Sequence, residues 1–96
     1  MDKILIVYTM KGCPHCQTMK ESLDKLEIEY HIRDIDKHKE EYDLFVEATE
    51  NEFVPAFMII ENPTDPSPNS FLYAPERDYQ EIEEGVEIIR EHFNIK

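Results

Sequence analysis

The chain has no apolar run approaching the ~18 residues that a membrane-spanning helix needs. It has no internal repeat, no low-complexity tract, and only two cysteines. Basic residues are scarce as well: ten Lys and Arg stand against 22 Asp and Glu, for a net charge of −12 at pH 7. Each shortage excludes something. Without a long apolar run nothing here is expected to cross a membrane. Without a basic surface, phosphate backbones are repelled, which argues against a nucleic-acid partner. The acid excess itself has two readings: plain solubility, or a field that selects electropositive partner proteins.

What is present points to a folded domain. The 96 residues are 41% hydrophobic, enough for one core and too few for two, so residues 1–96 are expected to form a single domain. The run Ile4-Leu5-Ile6-Val7-Tyr8 follows a lysine, yet it is short and is followed by Lys11 and a Cys pair rather than a small-residue cleavage site. It reads as a buried strand and not as a secretory signal. The chain is therefore expected in the cytoplasm, where two spaced cysteines are more often catalytic or metal-binding than a structural staple.

The patterning alternates strand and helix. Ile4–Tyr8 has the unbroken apolar character of a central strand covered on both faces. From Pro14 to about Glu27, Cys16, Met19, Leu23 and Leu26 share one helical face. Ile28, Tyr30 and Ile32 alternate with polar residues, as a half-buried strand does. Asp36 is positioned to cap a helix running to about Thr49, with Tyr42, Phe45 and Val46 inward. Phe53–Ile60 is a second apolar strand, followed by the proline-rich stretch 62–69 and a short strand at Phe71-Leu72-Tyr73. Asp78 and Glu81 form a capping-box pattern ahead of Ile82, Val86, Ile89 and Phe93. Gly85 inside that last helix implies close packing against a neighbour. The order β-α-β-α-β-β-α predicts an α/β fold with a four-stranded mixed sheet and three helices.

The chemistry concentrates in Cys13-Pro14-His15-Cys16, which opens a helix directly behind a buried strand. Cys13 falls at the N-cap and Pro14 at the first helical position, where a missing N–H costs nothing. Unpaired backbone N–H groups and the helix dipole favour a thiolate at Cys13, and Lys11 adds positive charge nearby. Cys16 lies one turn deeper on the apolar face. The spacing therefore assigns attack to Cys13 and resolution to Cys16. Zinc would need two further ligands, and His15, His31, His38 and His92 supply no second close pair. His15 is either a passive surface residue or a cation that tunes the thiols. Val54-Pro55 is either a strand-start proline or a cis-proline that packs beside the thiols and leaves the Val54 backbone free for an extended substrate.

The segment Tyr8-Thr9-Met10-Lys11-Gly12-Cys13-Pro14-His15-Cys16, with Phe53-Val54-Pro55 further on, resembles a dithiol glutaredoxin of the thioredoxin superfamily. The resemblance implies a thioredoxin-like fold, Cys13 as nucleophile, Cys16 as resolving thiol, and a cis Val54-Pro55 bond against the substrate backbone. The sequence departs from the family at several points. Met10 stands where a lysine or arginine is usual, with Lys11 one place later. His15 replaces an aromatic residue, Phe53 a threonine, and Ala74-Pro75 the Gly-Gly that lets the backbone approach glutathione. Arg77 and Asp78 occupy the glutathione-contacting positions that follow. The pair of cysteines also resembles that of bacterial periplasmic disulfide-forming oxidases.

The function expected is reduction of protein or glutathione mixed disulfides by Cys13 and Cys16, with Lys11, His15, Val54, Pro55, Arg77 and Asp78 in contact with substrate. The resemblance further implies electron donation to enzymes such as ribonucleotide reductase. No bound cofactor or metal is expected, glutathione or thioredoxin reductase being the reductant and the chain acting as a monomer. Two other readings remain open at this point: a metal or iron–sulfur protein using the two thiolates, and a non-catalytic module that binds a partner.

Overall fold

The structure, a computed structural model, describes residues 3–52, 54–61 and 70–93. Phe53 and the proline-rich stretch 62–69 lie outside the described residues. Strand β1 (Ile4–Thr9) leads into helix α1 (Pro14–Lys25), strand β2 (His31–Asp34), helix α2 (Lys39–Thr49), strands β3 (Ala56–Ile60) and β4 (Ser70–Tyr73), and helix α3 (Ile82–Phe93). The sheet order is β2-β1-β3-β4. β1 runs parallel to β2, and the β1–β3 and β3–β4 pairings are antiparallel. This is the mixed sheet of a thioredoxin-like fold.

The unbroken apolar run of β1 has a direct explanation. Its side chains alternate between two cores: Leu5 and Val7 join Met19, Leu23, Phe57 and Ile89 beneath α1 and α3, whereas Ile6 and Tyr8 join Tyr42 and Phe45 of α2. With both faces buried, every position from Ile4 to Tyr8 is apolar. A one-residue slip would exchange the two sets, so the register Val7–Phe57 and Val7–Ile32 is held from both sides.

Three helix ends differ from the sequence expectation, each for a local reason. α1 stops at Lys25 because the Glu27 N–H bonds Asp24 O and the Ile28 N–H bonds Leu23 O, with Glu27 at φ 57°. That is a Schellman closure, usually made with glycine, and it draws Ile28 into the core instead of into β2. α2 starts at Lys39, not after Asp36, because Asp34 takes over the turn: its Oδ1 accepts from the Asp36 N–H at 2.9 Å and its carbonyl accepts from Lys37 and His38. α3 starts at Ile82, one turn later than Asp78 implied. The Asp78 carboxylate is engaged with the Ala74 N–H at 2.8 Å, and Glu84 reaches back to the Glu81 N–H at 2.8 Å. The reciprocal half of a capping box is thus present, displaced by three residues.

Gly85 lies where α3 crosses α1. A Cβ there would sit 3.1 Å from the Tyr79 ring and 3.2 Å from Met19 Cε, so the close packing expected of this glycine is observed.

Candidate active site

The turn between β1 and α1 aims the first thiol. The Cys13 N–H bonds Met10 O at 3.2 Å, closing a tight turn in which Gly12 adopts φ 78°. Only glycine takes that backbone conformation without strain. Cys13 then serves as the N-cap of α1, its Sγ accepting from the Cys16 N–H at 3.3 Å, with Pro14 next in the helix. Both cysteines are free thiols, Cys13 partly exposed and Cys16 buried. The Cys16 Sγ–H donates to Cys13 Sγ at 2.6 Å. Burial, and then the hydrogen bond to Cys13, push the Cys16 thiol up to about 12, against smaller opposing effects from Met10 and the Lys20 ammonium. One thiol is open to a partner, and the other holds its proton behind it.

The second part of the site is the segment ahead of β3. The Val54–Pro55 bond is cis. The β3 ladder begins only at Ala56, and among the described residues the Val54 backbone pairs with nothing. Three side chains brace this region. The Tyr79 hydroxyl donates to Pro55 O, the Tyr42 hydroxyl donates to Glu52 O at 2.7 Å, and the Asn51 amide donates to Pro75 O at 2.7 Å. Tyr79 is only 3% exposed, and its ring stacks on Phe57 with centroids 5.7 Å apart. Burial also raises its phenol well above the ordinary range, so it stays a donor to Pro55. The sequence pattern places Tyr42 inward on its helix and gives no signal at Asn51. A polar tip on a buried aromatic is the signal that marks such a brace.

Two grooves flank the first turn of α1. One, of about 730 Å³, is lined by both cysteines together with Lys11, Lys20, Lys37, His38 and Asp34. The other, of about 380 Å³, is lined by His15, Val54, Pro55, Tyr79, Glu76, Glu81 and Glu83. The expected substrate-contacting residues are therefore divided. Lys11 lies with the thiols, while His15 lies with Val54 and Pro55, exposed and without a hydrogen bond to either sulfur among the described residues. Arg77 and Asp78 line neither groove. Arg77 Nη1 donates to the Asp78 carboxylate at 2.8 Å and to Leu72 O at 3.2 Å, closing the loop after β4. Ala74 is fully buried and accepts from the Asp78 N–H, which closes off the backbone that Gly-Gly would leave open.

Among the described residues, no group of three or more His, Cys, Asp or Glu side chains is placed to hold a metal ion, and no helix is long and apolar enough to cross a membrane.

A thiol pair at the head of the first helix, behind the central strand of a mixed four-stranded sheet, with a cis-proline ahead of the neighbouring strand, fits the architecture of the thioredoxin superfamily. The family model described as glutaredoxin matches residues 5–62, more than half of the chain, and the protein belongs to the glutaredoxin family. A search of the curated proteins finds no match. A solved structure described as that of "a malarial protein" superposes with a TM-score of 0.55 at 17% identity, covering 96% of this chain and 98% of that one. That likeness is one of fold.

Proposed function

We propose that the protein reduces disulfides with Cys13 as nucleophile and Cys16 as resolving thiol. Cys13 sulfur attacks one sulfur of a client disulfide, and the other client sulfur leaves as a thiolate that takes up a proton. Cys16 then loses its proton and attacks Cys13 Sγ, releasing the second client thiol and leaving a Cys13–Cys16 disulfide. Two electrons pass to the client, and an external thiol reductant, glutathione or a reductase-supplied dithiol, returns them. The observation that carries this reading is the 2.6 Å contact between a partly exposed N-cap thiol and a buried thiol one turn behind it. Glutaredoxins generally act with glutathione and disulfide-containing clients. The Val54 backbone, without a partner among the described residues, offers an edge on which an extended client segment can add hydrogen bonds.

The test uses two variants and a peptide disulfide. Cys13→Ser should abolish turnover, whereas Cys16→Ser should retain the first step and accumulate a mixed disulfide visible by intact-mass spectrometry. A mixed disulfide that forms on Cys16 in the Cys13→Ser variant at the wild-type rate would reverse the assignment.

A further inference from the structure

Where the positive charge lies relative to the thiols bears on the choice of client. The chain carries −12 overall, yet Lys11, Lys20 and Lys37 converge on the groove that holds Cys13 and Cys16, with Asp34 the lone carboxylate in its lining among the described residues. These lysines come from three separate places: the β1–α1 turn, the second turn of α1, and the turn after β2. They are also uncommitted. Lys3, Arg33, Lys39, Arg77 and Arg90 each hold a carboxylate within ion-pair distance, whereas among the described residues Lys11, Lys20 and Lys37 hold none. Asp34 offsets one of the three charges at most and forms no ion pair with any of them among the described residues, its Oδ1 accepting from the Asp36 N–H. The charge is felt at the site, where the Lys20 ammonium acts on the Cys16 thiol.

The opposite side of α1 carries the opposite sign. Glu76, Glu81 and Glu83 line the groove that contains Pro55. An acidic segment is repelled there and attracted on the lysine side. Salt screens exposed charges beyond about 8 Å at physiological strength, so these local groups outweigh the distant acidic surface.

Resting on the oxidoreductase reading above, we infer that the lysine groove selects clients whose disulfide is flanked by acidic residues, their carboxylates lying against Lys11, Lys20 and Lys37 while Cys13 attacks. The occupant is a protein segment because the groove is open and its charges are spread over three elements, which suits several carboxylates along a chain better than one compact anion.

The test is a single-turnover rate measurement with stoichiometric reduced full-length protein. The substrates are peptides with one cysteine, blocked as a mixed disulfide with 2-mercaptoethanol and flanked by Glu/Asp, by Gln/Ser, or by Lys. The acidic peptide should react about tenfold faster than the neutral one at low salt, and the basic peptide slowest. Raising salt to about 0.5 M should remove most of that preference. Lys20→Gln/Lys37→Gln should bring the acidic-to-neutral ratio to within about twofold, and Lys37→Arg should preserve it. Lys25→Gln removes one positive charge, half the change made by the double variant, but lies at the far end of α1, and should leave the ratio as in the wild type. Equal rates for the three peptides would overturn the inference and leave the oxidoreductase reading standing, whereas no reaction with any of them would overturn both. Loss of the preference in Lys25→Gln would assign it to overall charge and refute the groove. The same enhancement and Lys37 dependence for 3,3′-dithiodipropionate over hydroxyethyl disulfide would make the groove a small-anion site and refute a client segment.

Discussion

Replacing Gly85 by alanine sets two known effects against each other at one atom. In a helix interior the change should stabilise by about 1 kcal/mol through propensity alone. The new Cβ, however, arrives 3.1 Å and 3.2 Å from two ring carbons of Tyr79 and 3.2 Å from Met19 Cε. Met19 Cε is the free end of a flexible chain and can swing aside. The Tyr79 ring cannot: Phe57 stacks on one side and the hydroxyl is tied to Pro55 O. Overpacking against a fixed neighbour costs typically about 1–3 kcal/mol, so the net change is a loss of roughly 1 kcal/mol. For a domain of this size that lowers Tm by about 4–8 °C. Any displacement of the ring pulls on its hydrogen bond to Pro55 O, so disulfide turnover should fall together with Tm. Thermal unfolding followed by circular dichroism, with turnover of hydroxyethyl disulfide on the same samples, reads both. A variant with a higher Tm and undiminished turnover would show that Tyr79 yields freely, and the bracing argument would fail.

Two further predictions concern the thiols and a helix end. Iodoacetamide at pH 8 should label Cys13 and spare Cys16, whose rise from 9.0 to about 12 leaves it about a thousandfold less thiolate than an ordinary cysteine. Because that proton is held more tightly in the folded state, Cys16 adds stability that is complete below pH 9 and lost as pH rises toward 12. Peptide mapping of the labelled protein checks the first statement, and rapid alkylation of Cys16 at pH 8 would contradict it. Glu27→Gly should stabilise by about 0.5–1 kcal/mol, since Glu27 holds φ 57° in a position that glycine occupies without strain. A Tm unchanged or lowered in that variant would mean the Glu27 side chain contributes more than its backbone loses.

The parts of the fold readable from the residues were those set by periodicity. β1, the buried face of α1 and the apolar stripe of α3 follow from apolar spacing, and the Cys pair reads off its place behind a strand. Helix starts were harder, because the same aspartate serves a turn or a cap depending on partners elsewhere. Asp78 reads as a cap until Ala74 is seen to supply its N–H. Asp34 has no distinguishing pattern, yet it ends β2 and delays α2. The division of the site into a lysine side and a glutamate side was also invisible, since Lys11, Lys20 and Lys37 are brought together only when β2 pairs with β1. The braces on Pro55 join residues too far apart along the chain for any local pattern to link them.

Those braces tie the Pro55 segment to the last helix of the described chain. The cysteine helix belongs to the first quarter of the sequence, but Pro55 is anchored by Tyr79, and Tyr79 is wedged in place by α3 at Gly85. A chain emerging from synthesis therefore presents its thiols before the Pro55 segment has its anchor. On the proposed function, client docking would wait for the last helix to seat. On the same reading, any event that lifts α3 from the sheet would disarm the site without touching a sulfur atom.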